Sequence, residues 1–109
     1  MNIGDICFVN LTGNVGHEFQ GIRPTVVVSS DNTFYVTVIP ITSNVNNKIP
    51  TDIFVKKNNE NKLRSDSIIK TRHVYTCDLR RVITKKIGYI SNEYIFQIKT
   101  YLLKLFDLK

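Results

Sequence analysis

The sequence predicts a mainly β domain: five or six short strands followed by one C-terminal amphipathic helix, arranged as a small barrel or a strongly bent sheet. Two observations carry that prediction. Short β-branched and alternating apolar runs recur between residues 5 and 90, separated by polar turns. Beyond Ser91 the apolar spacing becomes helical. No internal repeat or linker divides the 109 residues, so 1–109 is read as one domain, long enough for a single core.

Asp5 to Val9 is the first strand, with Gly4 before it. Thr25-Val26-Val27-Val28-Ser29 is a continuous β-branched run, as expected of a strand buried on both faces. Pro24 suits its start, because the first residue of a strand need not donate to the ladder. Between these strands lies Gly13-Asn14-Val15-Gly16-His17-Glu18-Phe19-Gln20-Gly21-Ile22-Arg23-Pro24, about a dozen residues where a hairpin needs two to five. A connection that long in a small domain is usually functional or disordered, and Pro24 with the run after it argues that the far end is pinned. It is read as an ordered loop that carries chemistry.

Ser30 to Thr33 is a turn by composition. Phe34 to Ile41 alternates with a period of two: Phe34, Val36 and Val38 share one face, and Tyr35, Thr37, Ile39 and Ile41 the other. Thr51 to Val55 and Ser67 to Thr71 are the next strands, and the polar stretch Lys56 to Asp66 between them is expected to be mobile. Asp78 to Arg81 is expected to form a short helical turn, and Lys86 to Ile90 a weak last strand. Ser91 suits a helix N-cap and Glu93 the first turn, where a negative charge meets the helix dipole. Ile95, Ile98, Leu102 and Leu105, with Tyr101 and Leu108 beside them, define an apolar stripe along about four turns.

Fifteen Lys and Arg against nine Asp and Glu give a net charge of +6. A basic small domain favours a polyanionic partner, nucleic acid first and an acidic protein second. No apolar run approaches the roughly 20 residues of a membrane-spanning helix. The N-terminus has no basic-then-apolar leader, so a cytoplasmic protein without a membrane partner is expected. Cys7 and Cys77 lie far apart without metal-ligand spacing and are expected to be free thiols.

Several motifs, in order, resemble the MazF/PemK-type toxins of bacterial type II toxin–antitoxin systems. Gly4-Asp5-Ile6 is similar to the family's opening G-D-[IV]. Val15-Gly16-His17-Glu18 with Gly21-Ile22-Arg23-Pro24 resembles its G-[SH]-E-x-x-G-x-R-P signature. Ile39-Pro40-Ile41-Thr42-Ser43 resembles V-P-[IV]-T-S, and Lys86 to Ser91 resembles the K-I-G-x-[LV]-S before the last helix. The resemblance covers nearly the whole chain. It implies an SH3-like or gyrase-toxin-like barrel that forms a homodimer. It also implies a metal-independent endoribonuclease that cuts single-stranded RNA at short sequences, with no cofactor. The partner it implies is an antitoxin whose acidic, flexible tail covers the RNA groove.

Cleaving RNA without a metal requires a base for the 2′-OH, donors for the phosphate and an acid for the leaving 5′-oxygen. Arg23 is the leading candidate, since a guanidinium stays charged and holds phosphate through two parallel hydrogen bonds; the matching family Arg is catalytic. The bland alternative is a structural Arg23–Glu18 pair. Thr42 is the second candidate, a strand-end hydroxyl able to donate to phosphate, with Ser43 beside it. His17 is the third, because an imidazole titrates near neutral pH and PemK-type members carry this His. Glu18, Phe19, Gln20, Lys48, Lys70, Arg72 and Tyr75 complete the expected RNA-binding set, Phe19 and Tyr75 as stacking faces.

One departure stands out. PemK-type members carry R-x-D-Q in the fifth strand, where this chain has Lys70, Arg72 and His73. The carboxylate is lost, so that acid–base pair is not carried over. Either His17 and His73 divide the proton transfers, or Arg23 works mainly by electrostatics. The altered strand also leaves open a non-catalytic nucleic-acid-binding or gyrase-directed toxin on the same fold.

Overall fold

The computed structural model describes residues 1–16, 18–84 and 86–107. Among these residues are seven strands: β1 Asp5–Asn10, β2 Ile22–Ser30, β3 Tyr35–Thr42, β4 Ile53–Val55, β5 Ser67–Ile69, β6 Tyr75–Asp78 and β7 Gly88–Tyr89. One helix follows, α1 Asn92–Leu105. All the pairs are antiparallel, in the order β4-β5-β3-β2-β1-β7, and the sheet curls into a half-barrel. The outer edge of β3 is shared: its first half pairs with β6 and its last two residues with β5. The mainly β fold with a C-terminal helix is as expected, but the strand count is seven rather than five or six. The extra strand, β6, has a mixed composition that shows no apolar period of its own; its pairing to β3 makes it a strand.

The alternation of the long strands builds two cores rather than one, because both faces of the sheet are covered. Ile6, Val26, Ile39, Ile41, Ile53 and Ile69 face the helix and meet Ile98, Ile95 and Leu102 there. Cys7, Val9, Val27, Val36 and Val38 face the other way and are covered by Phe19, Tyr75, Leu79 and Val82. This double burial is what the β-branched run in β2 required. Both thiols are free, and burial pushes each above its ordinary value.

The β2–β3 turn is closed by Asp31, whose carboxylate accepts the N–H groups of Thr33, Phe34 and Tyr35 at 2.9, 2.8 and 3.0 Å. The expected turn at Leu79–Arg81 is a single 3₁₀ turn capped by Asp78, which accepts from the Arg80 N–H. Ser91 occupies the helix N-cap, but its side chain makes no cap bond. On α1 the core-facing stripe passes through Tyr101, while Leu105 turns out into a groove beside Pro50. Leu108 lies outside the described residues. Among those described, no helix is long and apolar enough to cross a membrane.

The stretch Lys56–Asp66 was expected to be mobile. Instead the chain has a hydrogen-bonded course there, set by asparagine side chains bonding the backbone. Asn61 is buried; its Oδ1 accepts from the Asn58 and Leu63 N–H groups, and its Nδ2 donates to the Lys56 carbonyl. Asp66 accepts from the Lys57 N–H and closes the base of the loop.

Candidate active site

Strand β2 begins at Ile22, earlier than the β-branched run suggested, so Arg23 sits in a strand and pairs with Val9 of β1. On the other side of β2, Thr25 stands opposite Pro40. Arg23 and Thr42 each lie two residues beyond that last pair, where the register would continue toward the start of β2 and the end of β3. Both line a cleft of about 430 Å³ where β2 begins and β3 ends, together with Ser43, Lys62, Arg64 and Ser65.

Local contacts orient the two leading groups without saturating them. The Arg23 Nε donates to the Gln20 carbonyl at 2.9 Å, and the guanidinium lies 5.5 Å from the centre of the Phe19 ring. Among the described residues, no side chain or carbonyl takes its two terminal amino groups. Glu18 is not its partner: the Glu18 carboxylate accepts from the Val15 N–H at 2.9 Å and shapes the loop instead. The Thr42 hydroxyl accepts from the Asn44 N–H at 3.2 Å, which leaves its own proton to donate. Such a pair can clamp a tetrahedral oxyanion.

A second group continues this face. Phe19 lies between Arg23 and His73, meeting the imidazole edge-on with ring centres 4.8 Å apart. The Tyr75 hydroxyl accepts from the Phe19 N–H at 3.0 Å and lies 3.2 Å from the His73 Nδ1. Partial burial first, and then the nearby Lys70 charge, hold the imidazole below its ordinary pKa; Asp52 and Glu18 pull the other way, and Arg72 adds to the lowering.

The other expected residues are dispersed. Lys70 is turned inward, its ammonium 2.7 Å from the buried Asp52 carboxylate and 3.0 Å from the Asn47 carbonyl. Arg72 lines a separate groove with Tyr101 and Lys104. Gln20 donates from its side chain to the Asn14 carbonyl, and Lys48 is exposed after β3. His17 lies outside the described residues. Lys62 and Arg64, outside the expected set, also line the cleft; the asparagine-rich run before them is the sequence signal for the hydrogen-bonded loop that places them there.

Comparison with known proteins decides the family. The sequence pattern of the "PemK-like, MazF-like toxin of type II toxin-antitoxin system" family matches residues 2–106. The chain belongs to this toxin family. It is 36% identical over 98 residues to a protein named Endoribonuclease MazF from Staphylococcus saprophyticus, covering 85% of this chain and 80% of that one. Among solved structures it is similar to Deinococcus radiodurans MazF, with a TM-score of 0.84 at 20% identity over 99% of this chain and 97% of that one. It is also similar to a chain of the D. radiodurans MazE–MazF complex, with a TM-score of 0.74 at 18% identity over 100% of this chain and 97% of that one. At these identities the two structures speak to the fold. As a toxin-family member, the chain carries Arg23, Thr42, Phe19 and His73 within the matched range.

Proposed function

We propose that this chain is the toxin of a type II pair and that it cleaves single-stranded RNA, mRNA first, without a metal ion. The observation that carries the reading is that Arg23 and Thr42 line one cleft, each held by its neighbours and each with donors left over. In the reaction the ribose 2′-oxygen bonds to phosphorus and the P–O5′ bond breaks. The 2′-proton passes to a base, and the departing 5′-oxygen takes up a proton from water. The products are a 2′,3′-cyclic phosphate and a 5′-hydroxyl; water then opens the cyclic ester to a 3′-phosphate.

Arg23 holds two non-bridging oxygens through its terminal amino groups as their charge grows. Thr42 donates to one of them, with Ser43 as a neighbouring donor. Lys62 and Arg64 hold adjoining phosphates along the cleft. His17 takes the 2′-proton, a role that rests on the family resemblance. The name of the S. saprophyticus relative supports the RNA-cleaving reading. The D. radiodurans MazE–MazF complex supports an antitoxin partner, for which an acidic tail matches the +6 charge. A homodimer in the cytoplasm completes the reading.

The test incubates purified, antitoxin-free protein with a long single-stranded RNA in EDTA, beside Arg23→Ala and Thr42→Val, and maps the ends. Discrete cuts with cyclic or 3′-phosphate ends, lost in Arg23→Ala and weakened in Thr42→Val, are expected. Folded protein that makes no cuts would overturn the reading in favour of a binding or gyrase-directed toxin.

A further inference from the structure

His73 and Tyr75 form a polar pair on the face that carries Arg23, and their hydrogen bonds constrain where the imidazole keeps its proton. The Tyr75 hydroxyl has one proton to give. One of its lone pairs is taken by the Phe19 N–H at 3.0 Å, a donor that has no alternative protonation state. Its second neighbour is the His73 Nδ1 at 3.2 Å. If Nδ1 carried the proton, the hydroxyl would receive two N–H groups and its own proton would have no partner among the described residues. With Nδ1 bare, the hydroxyl donates to it and both groups are satisfied. The pair is framed on both sides: Tyr75 is paired opposite Val38 in the sheet and packed in the second core, and the Phe19 ring meets the imidazole at 88°.

We propose that Tyr75 is a positioning residue that holds His73 as its Nε2-protonated tautomer, so that the imidazole serves an RNA phosphate as a neutral hydrogen-bond donor and not as the base. This rests on the RNA-cleaving reading above. The lone pair a base needs is then on Nδ1, where Tyr75 occupies it, while Nε2–H complements an anionic oxygen. The charged groups around the ring are Lys70 and Arg72 on its own turn, Asp52 ahead of β4, and Glu18 in the β1–β2 loop. Lys70 is already paired with Asp52, so its charge opposes an imidazolium without competing for Nδ1.

The test has two arms. Two-bond proton–nitrogen correlation spectra of ¹⁵N-labelled protein, without RNA and above neutral pH, report the tautomer. The Nε2–H pattern is expected for His73, loosening toward a mixture in Tyr75→Phe. An Nδ1–H pattern in the wild type overturns the proposal. The second arm measures RNA cleavage, and binding of a non-cleavable 2′-O-methyl RNA, for His73→Gln and His73→Ala. Glutamine donates an N–H and is no base, so it is expected to keep both activities within about threefold, while alanine lowers both by about tenfold or more. Glutamine as defective as alanine overturns the donor role. Wild-type protein that binds the analogue but cuts no RNA overturns the RNA-cleaving reading, while the spectra and the binding ratio still judge the tautomer and the donor.

Discussion

Replacing Arg23 by lysine separates charge from geometry. Arg23 commits its Nε to the Gln20 carbonyl and leaves both terminal amino groups for a phosphate. Lysine keeps the charge but presents one compact ammonium without the planar fork. At least one charge-assisted hydrogen bond is lost, about 1.5–3 kcal/mol. Some of the contact with the Phe19 ring goes too, about 0.5 kcal/mol. A total of about 2–3.5 kcal/mol corresponds to a drop of roughly 30- to 400-fold in kcat/KM. Arg23 is exposed and outside both cores, so folding stability is expected to change by less than about 0.5 kcal/mol. The assay follows cleavage of a short RNA carrying a fluorophore and quencher, beside thermal melting of the same sample. Activity within threefold of wild type would show that a point charge suffices and that the bidentate argument is wrong. A large fall in melting temperature would make Arg23 structural.

Three further outcomes are expected. Lys70→Met leaves the buried Asp52 carboxylate without its cation and should cost about 3–5 kcal/mol in urea unfolding; an unchanged midpoint would mean the ion pair contributes nothing. Gly88→Ala would put a Cβ 2.5 Å from the Asn61 carbonyl oxygen and 2.6 Å from that of Glu60, so the loop carrying Lys62 and Arg64 must shift. Stability should fall by about 1–3 kcal/mol, with weaker RNA binding, and neither effect is expected if that loop yields freely. The His73 pKa is lowered in the folded state, so the unfolded chain binds the proton first as pH falls. Its contribution to stability is complete above about pH 6.5, the unfolded value, and is lost as pH drops toward the lower folded value. Melting temperature across that window should fall less steeply in His73→Gln, and identical slopes would contradict the shift.

The candidate site was partly legible for a local reason. Arg23 and Thr42 stand out as chemistry-bearing residues at strand ends beside a long loop, and the motifs around them are contiguous in sequence. By sequence Lys70 is an RNA-facing cation, because nothing local reveals Asp52 as its partner across the β4–β5 pair. Lys62 and Arg64 carry no such local signal, because a polar run reads as mobile until Asn61 is seen buried and bonded on both sides. Tyr75 looked like a free stacking face, whereas its hydroxyl joins the Phe19 backbone to His73.

The sequence alone determined the period-two strands, the helical stripe after Ser91, the basic charge and the stretch from Gly13 to Pro24, all of which are properties of neighbouring residues. The tertiary structure decided which strands share the edge of β3, that Tyr75–Asp78 is a strand at all, that both faces of the sheet are buried, and that Phe19 lies between Arg23 and His73. The physical reason is range. A side chain's preference for one face of a strand or helix is set within a few residues, but its partner across a sheet is set by packing the whole chain at once.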